Sequence, residues 1–175
     1  DRHLVAFGTE TTIGTTSTQD DMYIRWSDQE SLTDWTPTAT NTAGTQRLAD
    51  GTRIVGALRG RDAIYIWTDT SLFIMRFVGS PFTFSFQQVG TNCGLIGKNA
   101  AVEVDGSAYW MSENGFFRYT GRLESLPCLV EDHVYDDINT VPKNHIYAGL
   151  NNLFGEVTWF YPGSGSASNN RSVTY

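Results

Sequence analysis

Lysine is nearly missing from this 175-residue chain: of its twelve basic residues, only Lys98 and Lys143 are lysine and the rest are arginine. Acids number 19, which sets the formal charge at −7. Without a basic face, duplex DNA binding by general charge neutralisation is excluded as a primary role. Charged residues of both signs reach only 18%, below the roughly 25% of an ordinary domain. Long apolar runs are missing too. The longest, around Leu72-Phe73-Ile74-Met75, stops at Arg76, far short of the roughly 20 residues of a membrane helix. The two cysteines, Cys93 and Cys128, lie 35 residues apart with no CxxC neighbour, so a four-ligand zinc site is excluded. They read as buried or half-buried thiols, with a disulfide open in an oxidising compartment.

Recognised catalytic patterns are lacking as well. No GxSxG, HExxH, P-loop or GxGxxG occurs, and His3, His133 and His145 stand far apart in the sequence. No catalytic, cofactor-binding or metal residue is assigned. The acidic stretch Glu131-Asp132-His133-Val134-Tyr135-Asp136-Asp137 crowds hard oxygen ligands but lacks the spacing and central Gly of a calcium loop. It reads as a solvated loop or one that meets an Arg-bearing partner. Gly163-Ser164-Gly165-Ser166 reads as a flexible hairpin tip.

What is present is strand. Short runs rich in Val, Ile, Tyr, Phe, Trp and Thr alternate with turn residues almost throughout. They include His3–Phe7, Met22–Trp26, Ile54–Leu58, Ala63–Trp67, Leu72–Val78, Phe82–Gln88, His145–Leu150, Glu156–Tyr161 and Ser172–Tyr175. Asp50-Gly51, Asp105-Gly106 and Asn114-Gly115 suit tight hairpins. One segment, Leu129–Asn139, bracketed by Pro127 and Pro142, fits a short helix. The fold class is all-β.

An apolar strand followed by a strand bearing one Trp recurs four times. First strands begin near Leu4, Ile54, Ala101 and Ile146, in steps of 50, 47 and 45, and the tryptophans Trp26, Trp67, Trp110 and Trp159 step by 41, 43 and 49. The third unit gives four strands, Ala101–Val104, Ser107–Met111, Phe116–Tyr119 and Glu124–Cys128. A 40–50-residue period of this kind predicts β-propeller blades, near 1–50, 51–98, 99–142 and 143–175. A four-stranded sheet cannot cover both its faces, so blades stack and each Trp fills a layer between them. A β-sandwich with coincidental spacing is the alternative. With four units visible, a non-Met start and a strand-like end, the chain reads as a piece of a larger ring, without a second domain.

The most specific local feature runs from Tyr23-Ile24-Arg25-Trp26-Ser27-Asp28 to Asp34-Trp35-Thr36-Pro37. Ser27 and Asp28 can satisfy turn amides where a strand ends, and Asp34–Pro37 restarts an extended segment. Two tryptophans beside acids also suit a sugar platform. The Asp-box of sialidase propellers is similar, but the required turn Gly is missing.

This signature, with Ala43-Gly44, Leu48-Ala49-Asp50-Gly51-Thr52-Arg53-Ile54-Val55-Gly56, Ala63–Asp69, Gly115–Gly121 and Val157–Pro162, resembles the propeller of phage tail-hub proteins. These are the nozzle, tail tubular B or packaged-DNA stabilisation proteins of short-tailed phages. The resemblance implies a structural, non-enzymatic virion protein of the tail, without a cofactor. It implies a homo-oligomeric ring, usually sixfold, below portal and adaptor proteins. That ring continues the DNA channel, helps retain the genome until ejection and offers attachment surfaces for fibres or a needle. The motif residues Trp26, Ser27, Asp28, Asp34, Trp35, Pro37, Trp67, Trp110 and Trp159 take structural roles under this reading. A net-negative chain fits a conduit that DNA slides past. A glycan-binding or glycan-cleaving propeller is the alternative function.

Overall fold

The computed structural model describes residues 2–175 and contains four antiparallel sheets, one short α-helix and two single 3-10 turns, Thr16–Thr18 and Lys143–His145. Strands take up 48% of the chain and helix 7%, so the all-β class holds. Sheet I is β1 (Val5–Glu10), β2 (Gln19–Trp26) and β3 (Gly44–Arg47), in that order. Sheet II is β4 (Ile54–Arg59), β5 (Ile64–Thr68), β6 (Ser71–Gly79) and β7 (Thr83–Thr91). Sheet III is β8 (Ala101–Val104), β9 (Ser107–Ser112), β10 (Gly115–Tyr119) and β11 (Leu123–Ser125). Sheet IV is β12 (Tyr147–Asn151), β13 (Glu156–Tyr161) and β14 (Arg171–Thr174). Each is a plain meander, because turns such as Asp105-Gly106, both at positive φ, return the chain at once to its neighbour.

The helix α1 (Glu131–Asp137) falls inside the predicted segment between sheets III and IV. Its Tyr135 hydroxyl donates to the Ser112 and Gly115 carbonyls at 2.7 and 3.0 Å, and its Val134 is buried. The acidic stretch is therefore a docked helix and not a loop, with Asp137 held by Arg171 at 3.0 Å. Asp34–Pro37 differs from expectation in the other direction. It forms no strand, and β3 begins only at Gly44. β3 carries Gly-Thr-Gln-Arg and no apolar residue, so pattern reading does not see it; pairing with β2 makes it a strand.

The core has two parts. Met22, Ile24, Trp26 and Leu48 of the first unit pack against Ile66, Phe73, Met75 and Phe84 of sheet II. Tyr65, Trp67, Leu72 and Ile74 leave the other side of sheet II and join a larger core spanning sheets III and IV. Residues 65, 66 and 67 thus alternate between two buried layers, as period two requires of a sheet covered on both faces. Sheet II is the middle layer of a stack.

First strands show how the layers relate. The Ala148 N–H donates to the Asn99 carbonyl at 2.8 Å, and Asn99 and Tyr147 form a parallel bridge, so β8 and β12 begin side by side. Arg53–Val55 and Ile96–Lys98 line one cavity at the strand starts, while Arg59–Arg61 line another at the ends with Glu103, Asp105 and Gly106. β4, β8 and β12 therefore run in the same direction. Sheet I departs from this. Its Thr42 carbonyl, beside the start of β3, accepts from Thr83 Oγ1 at 3.1 Å at the far end of sheet II, while Asp50, beyond the end of β3, accepts from Gln88 Nε2 at 2.8 Å near the start of β6. β3, and with it β1, consequently runs opposite to β4.

Candidate functional site

The most elaborate local construction is where strands end on Trp-Ser-Asp and Trp-Thr-Asp. In the first copy, Ser27 is fully buried and its hydroxyl accepts the Leu4 N–H at 3.1 Å while donating to the Asp28 carbonyl at 2.9 Å. Asp28 Oδ1 accepts both the N–H and the hydroxyl of Thr42, at 2.8 and 2.6 Å. In the second copy, Asp69 accepts the Thr52 N–H at 2.8 Å and its hydroxyl at 2.5 Å, and the buried Thr68 hydroxyl accepts the Ser71 N–H at 2.9 Å. Each Asp thereby ties the end of one strand to the residue that leads into the antiparallel neighbour. The Thr42 hydroxyl, then its N–H, holds the Asp28 carboxyl below the ordinary range. Burial pulls Asp69 upward, but the Thr52 hydroxyl and N–H outweigh it and leave that carboxyl lowered too.

The loop between the first clamp and β3 is self-contained. Asp34 Oδ2 accepts from Asn41 Nδ2 at 3.0 Å, and the Asp34 carbonyl accepts the Asp28 N–H at 2.8 Å. Half-buried Trp35 donates Nε1 to the Leu32 carbonyl at 3.0 Å, while Pro37 is exposed. Arg25, only 7% exposed, gathers the Glu10 and Thr11 carbonyls at 3.1 Å and reaches the Trp35 carbonyl at 3.4 Å. Pattern reading does not single out Arg25, Thr42 or Thr52. The repeated Trp-Ser/Thr-Asp ending was the signal available for the pair of clamps.

Tryptophans fill the seams between layers. Trp67 and Trp110 meet edge to face at 5.4 Å, Phe116 and Trp159 lie 5.0 Å apart, and Trp26 meets Phe84 at 5.3 Å. Three of them donate their indole N–H to carbonyls: Trp26 to Thr42, Trp110 to Cys93 and Trp159 to Ala100, at 2.9, 2.8 and 3.0 Å. Trp26 is not equivalent to the rest. It sits beside Val5 and Gly44 and packs on Phe84, on the face of sheet II opposite Trp67.

No protein-family model matches the chain, and no curated protein matches it. The site must stand on its own geometry. Among the described residues no cluster of three metal-ligating side chains forms, and no helix is long and apolar enough to cross a membrane. Cys93 and Cys128 are both free thiols.

One cavity concentrates charge of a single sign. Arg53, Lys98 and Lys143 line a space of about 360 Å³ where β4, β8 and β12 begin, and no acid lines it. They follow each other at intervals of 45 residues, one per sheet, a regularity legible in the sequence but hidden by the Arg-for-Lys exchange. Lys143 pairs with Glu113. The cavity collects both lysines of a chain whose net charge is −7.

Proposed function

We propose that the chain supplies successive blades of a β-propeller and is a structural subunit of a phage tail hub, part of a ring around the DNA channel. The observation that carries the propeller part is the arrangement of β4, β8 and β12. Three sheets in chain order set their first strands next to one another, all running the same way. Rotation of one blade about a central axis generates that relation. Two sheets facing each other across a sandwich core do not require it.

The tail-hub part draws its support from the resemblance around Trp26–Pro37 and from what those residues do. Trp26 is buried, Trp35 is tied to its own loop, and Asp28 and Asp34 spend their oxygens on Thr42, Thr36 and Asn41. Such hydrogen-bonded side chains make a scaffold, which supports the structural reading over the glycan one. The acidic balance of −7 suits passage of DNA without retention. Electron micrographs of the assembled virion, with the chain marked by a fused tag, test the proposal. The expected result is symmetric density for the tag around an axial channel. A free monomer that binds saccharide, with no tag density on particles, overturns it.

A further inference from the structure

Backbone contact between three linkers builds the cationic cavity at the starts of β4, β8 and β12. A Cβ on Gly56 would come within 3.1 Å of the Lys98 carbonyl, and one on Gly97 would strike the Lys143 carbonyl. The segments entering sheets II, III and IV therefore press on one another, and each brings one cation, Arg53, Lys98 or Lys143. Their backbones are held as well. The Asp69 N–H donates to the Arg53 carbonyl at 3.2 Å, the Ala100 N–H to the Gly97 carbonyl at 2.9 Å, and the Ile146 N–H to the Lys143 carbonyl at 3.1 Å.

The donors that converge there are uncommitted. Among the described residues, neither Arg53 nor Lys98 forms an ion pair, and the side chains of Thr140 and Asn144, which share the lining, bond to no other protein group. Acids of the adjoining segments are already taken. Asp50 accepts from Ser71 and from Gln88 Nε2, Asp69 holds Thr52, and Glu113 pairs with Lys143. Two positive charges are thus left without a counter-charge, in a chain whose acids outnumber its bases 19 to 12. Both belong to exposed side chains, whose heads can turn onto a ligand entering from solvent.

We propose that this cavity binds a doubly charged phosphate group, with Arg53 and Lys98 as its cationic partners and Thr140 and Asn144 as neutral donors. A phosphate monoester carries about −1.5 to −2 near neutral pH, which two free cations balance. Arg53 offers a planar fork and Lys98 a compact point charge, and both suit phosphate oxygens. A carboxylate, with one charge, would answer only one of the two. The volume of about 360 Å³ falls within the roughly 300–1,000 Å³ of small-molecule sites, so the phosphate enters with part of the molecule that carries it. Two sources offer such a group, a free polyphosphate and the terminal phosphate of a nucleic acid. The site is formed by sheets II, III and IV alone and is independent of the tail-hub reading.

The probe is inorganic tripolyphosphate, titrated into the full chain at low salt and followed by calorimetry. One equivalent should bind saturably, and inorganic phosphate should compete for the same site more weakly. Arg53→Gln and Lys98→Gln, at exposed positions that leave the fold intact, should each weaken binding about fivefold. Glu113→Gln, which releases Lys143, should strengthen it about twofold. Arg61→Gln, at the opposite ends of the strands, should leave it unchanged. A 5′-phosphorylated DNA duplex that displaces the tripolyphosphate assigns the site to nucleic-acid ends, and one that fails to displace it assigns the site to free polyphosphates; the proposal stands in both cases. Absence of saturable binding, binding indifferent to Arg53→Gln and Lys98→Gln, or an equal loss from Arg61→Gln overturns it.

Discussion

Sheets II, III and IV share one core and one strand direction, while sheet I meets sheet II with its strands reversed and packs on it through a separate core. The outward faces differ as well. Sheet II is buried on both sides, whereas the far side of sheet I carries Tyr23, Arg25, Thr45 and Arg47, with Arg25 busy holding loop carbonyls. Both regions nonetheless end a strand on the same Trp-Ser/Thr-Asp signature. One local device therefore serves two different positions in a sheet, because it needs only an antiparallel neighbour and a Thr beside it.

The widest separation between the regions should come from their tryptophans. Trp110 is completely buried at the seam of sheets II and III, and Trp110→Ala should cost about 4 kcal/mol or more. Trp26→Ala should cost about 3 kcal/mol, since Trp26 lies at the outer seam against Phe84 and half-buried Phe86. Denaturant unfolding of the two variants reads both values. A larger loss from Trp26 would break the distinction between a shared core and an attached layer.

Glycines sharpen it next. A Cβ on Gly94 would run into the Asp69 backbone in the connection from sheet II to sheet III, where nothing can yield. Gly94→Ala should cost about 3 kcal/mol. A Cβ on Gly44 would strike the Trp26 ring, a side chain and not backbone, so Gly44→Ala should cost about half as much. Thermal melts of the pair give the order directly.

Much of this difference could not be read from the sequence. Strands announced themselves through Val, Ile and aromatic runs, and the four-strand unit from Ala101 to Ser125 falls where its Asp-Gly and Asn-Gly turns put it. The reversal of sheet I is invisible to periodicity, because direction depends on whether a unit has three strands or four. The deciding strand, Gly44-Thr45-Gln46-Arg47, has no apolar residue to reveal it. Spacing therefore aligned Trp26 with Trp67, although the two lie on opposite faces of sheet II and at opposite ends of its strands. The clamps were half legible: Asp28 was recognised as a turn-amide acceptor, but its partner Thr42 lies 14 residues away.

Acid should act on both regions through those clamps. Asp28 and Asp69 each titrate lower in the fold than the roughly 3.9 of an unfolded Asp. Their contribution is complete above that unfolded value and is lost as pH falls through the folded one. Lowering pH from 5 toward 3 should reduce Tm by a few degrees, and Asp28→Asn and Asp69→Asn should each flatten part of that dependence. An undiminished slope in both variants would show that other carboxyls govern it, with Asp20 and Glu124, lowered chiefly by the Met22 N–H and by Arg118, next in line.

The smallest effect, and the finest test of independence, is a thiol labelling rate. Burial pushes the Cys93 thiol up to about 11, so near neutral pH only about one molecule in 10⁴ carries the reactive thiolate. Cys93 also lies at the seam of sheets II and III, where its carbonyl holds the Trp110 indole. Half-buried Cys128 should react first, and Cys93 only when that seam opens. In denaturant just sufficient to expose Trp26, Cys93 should keep its native rate if sheet I detaches alone. Should Cys93 become reactive in step with the exposure of Trp26, the two cores open as one unit. The reversed sheet would then be as firmly part of the stack as the three that share a direction.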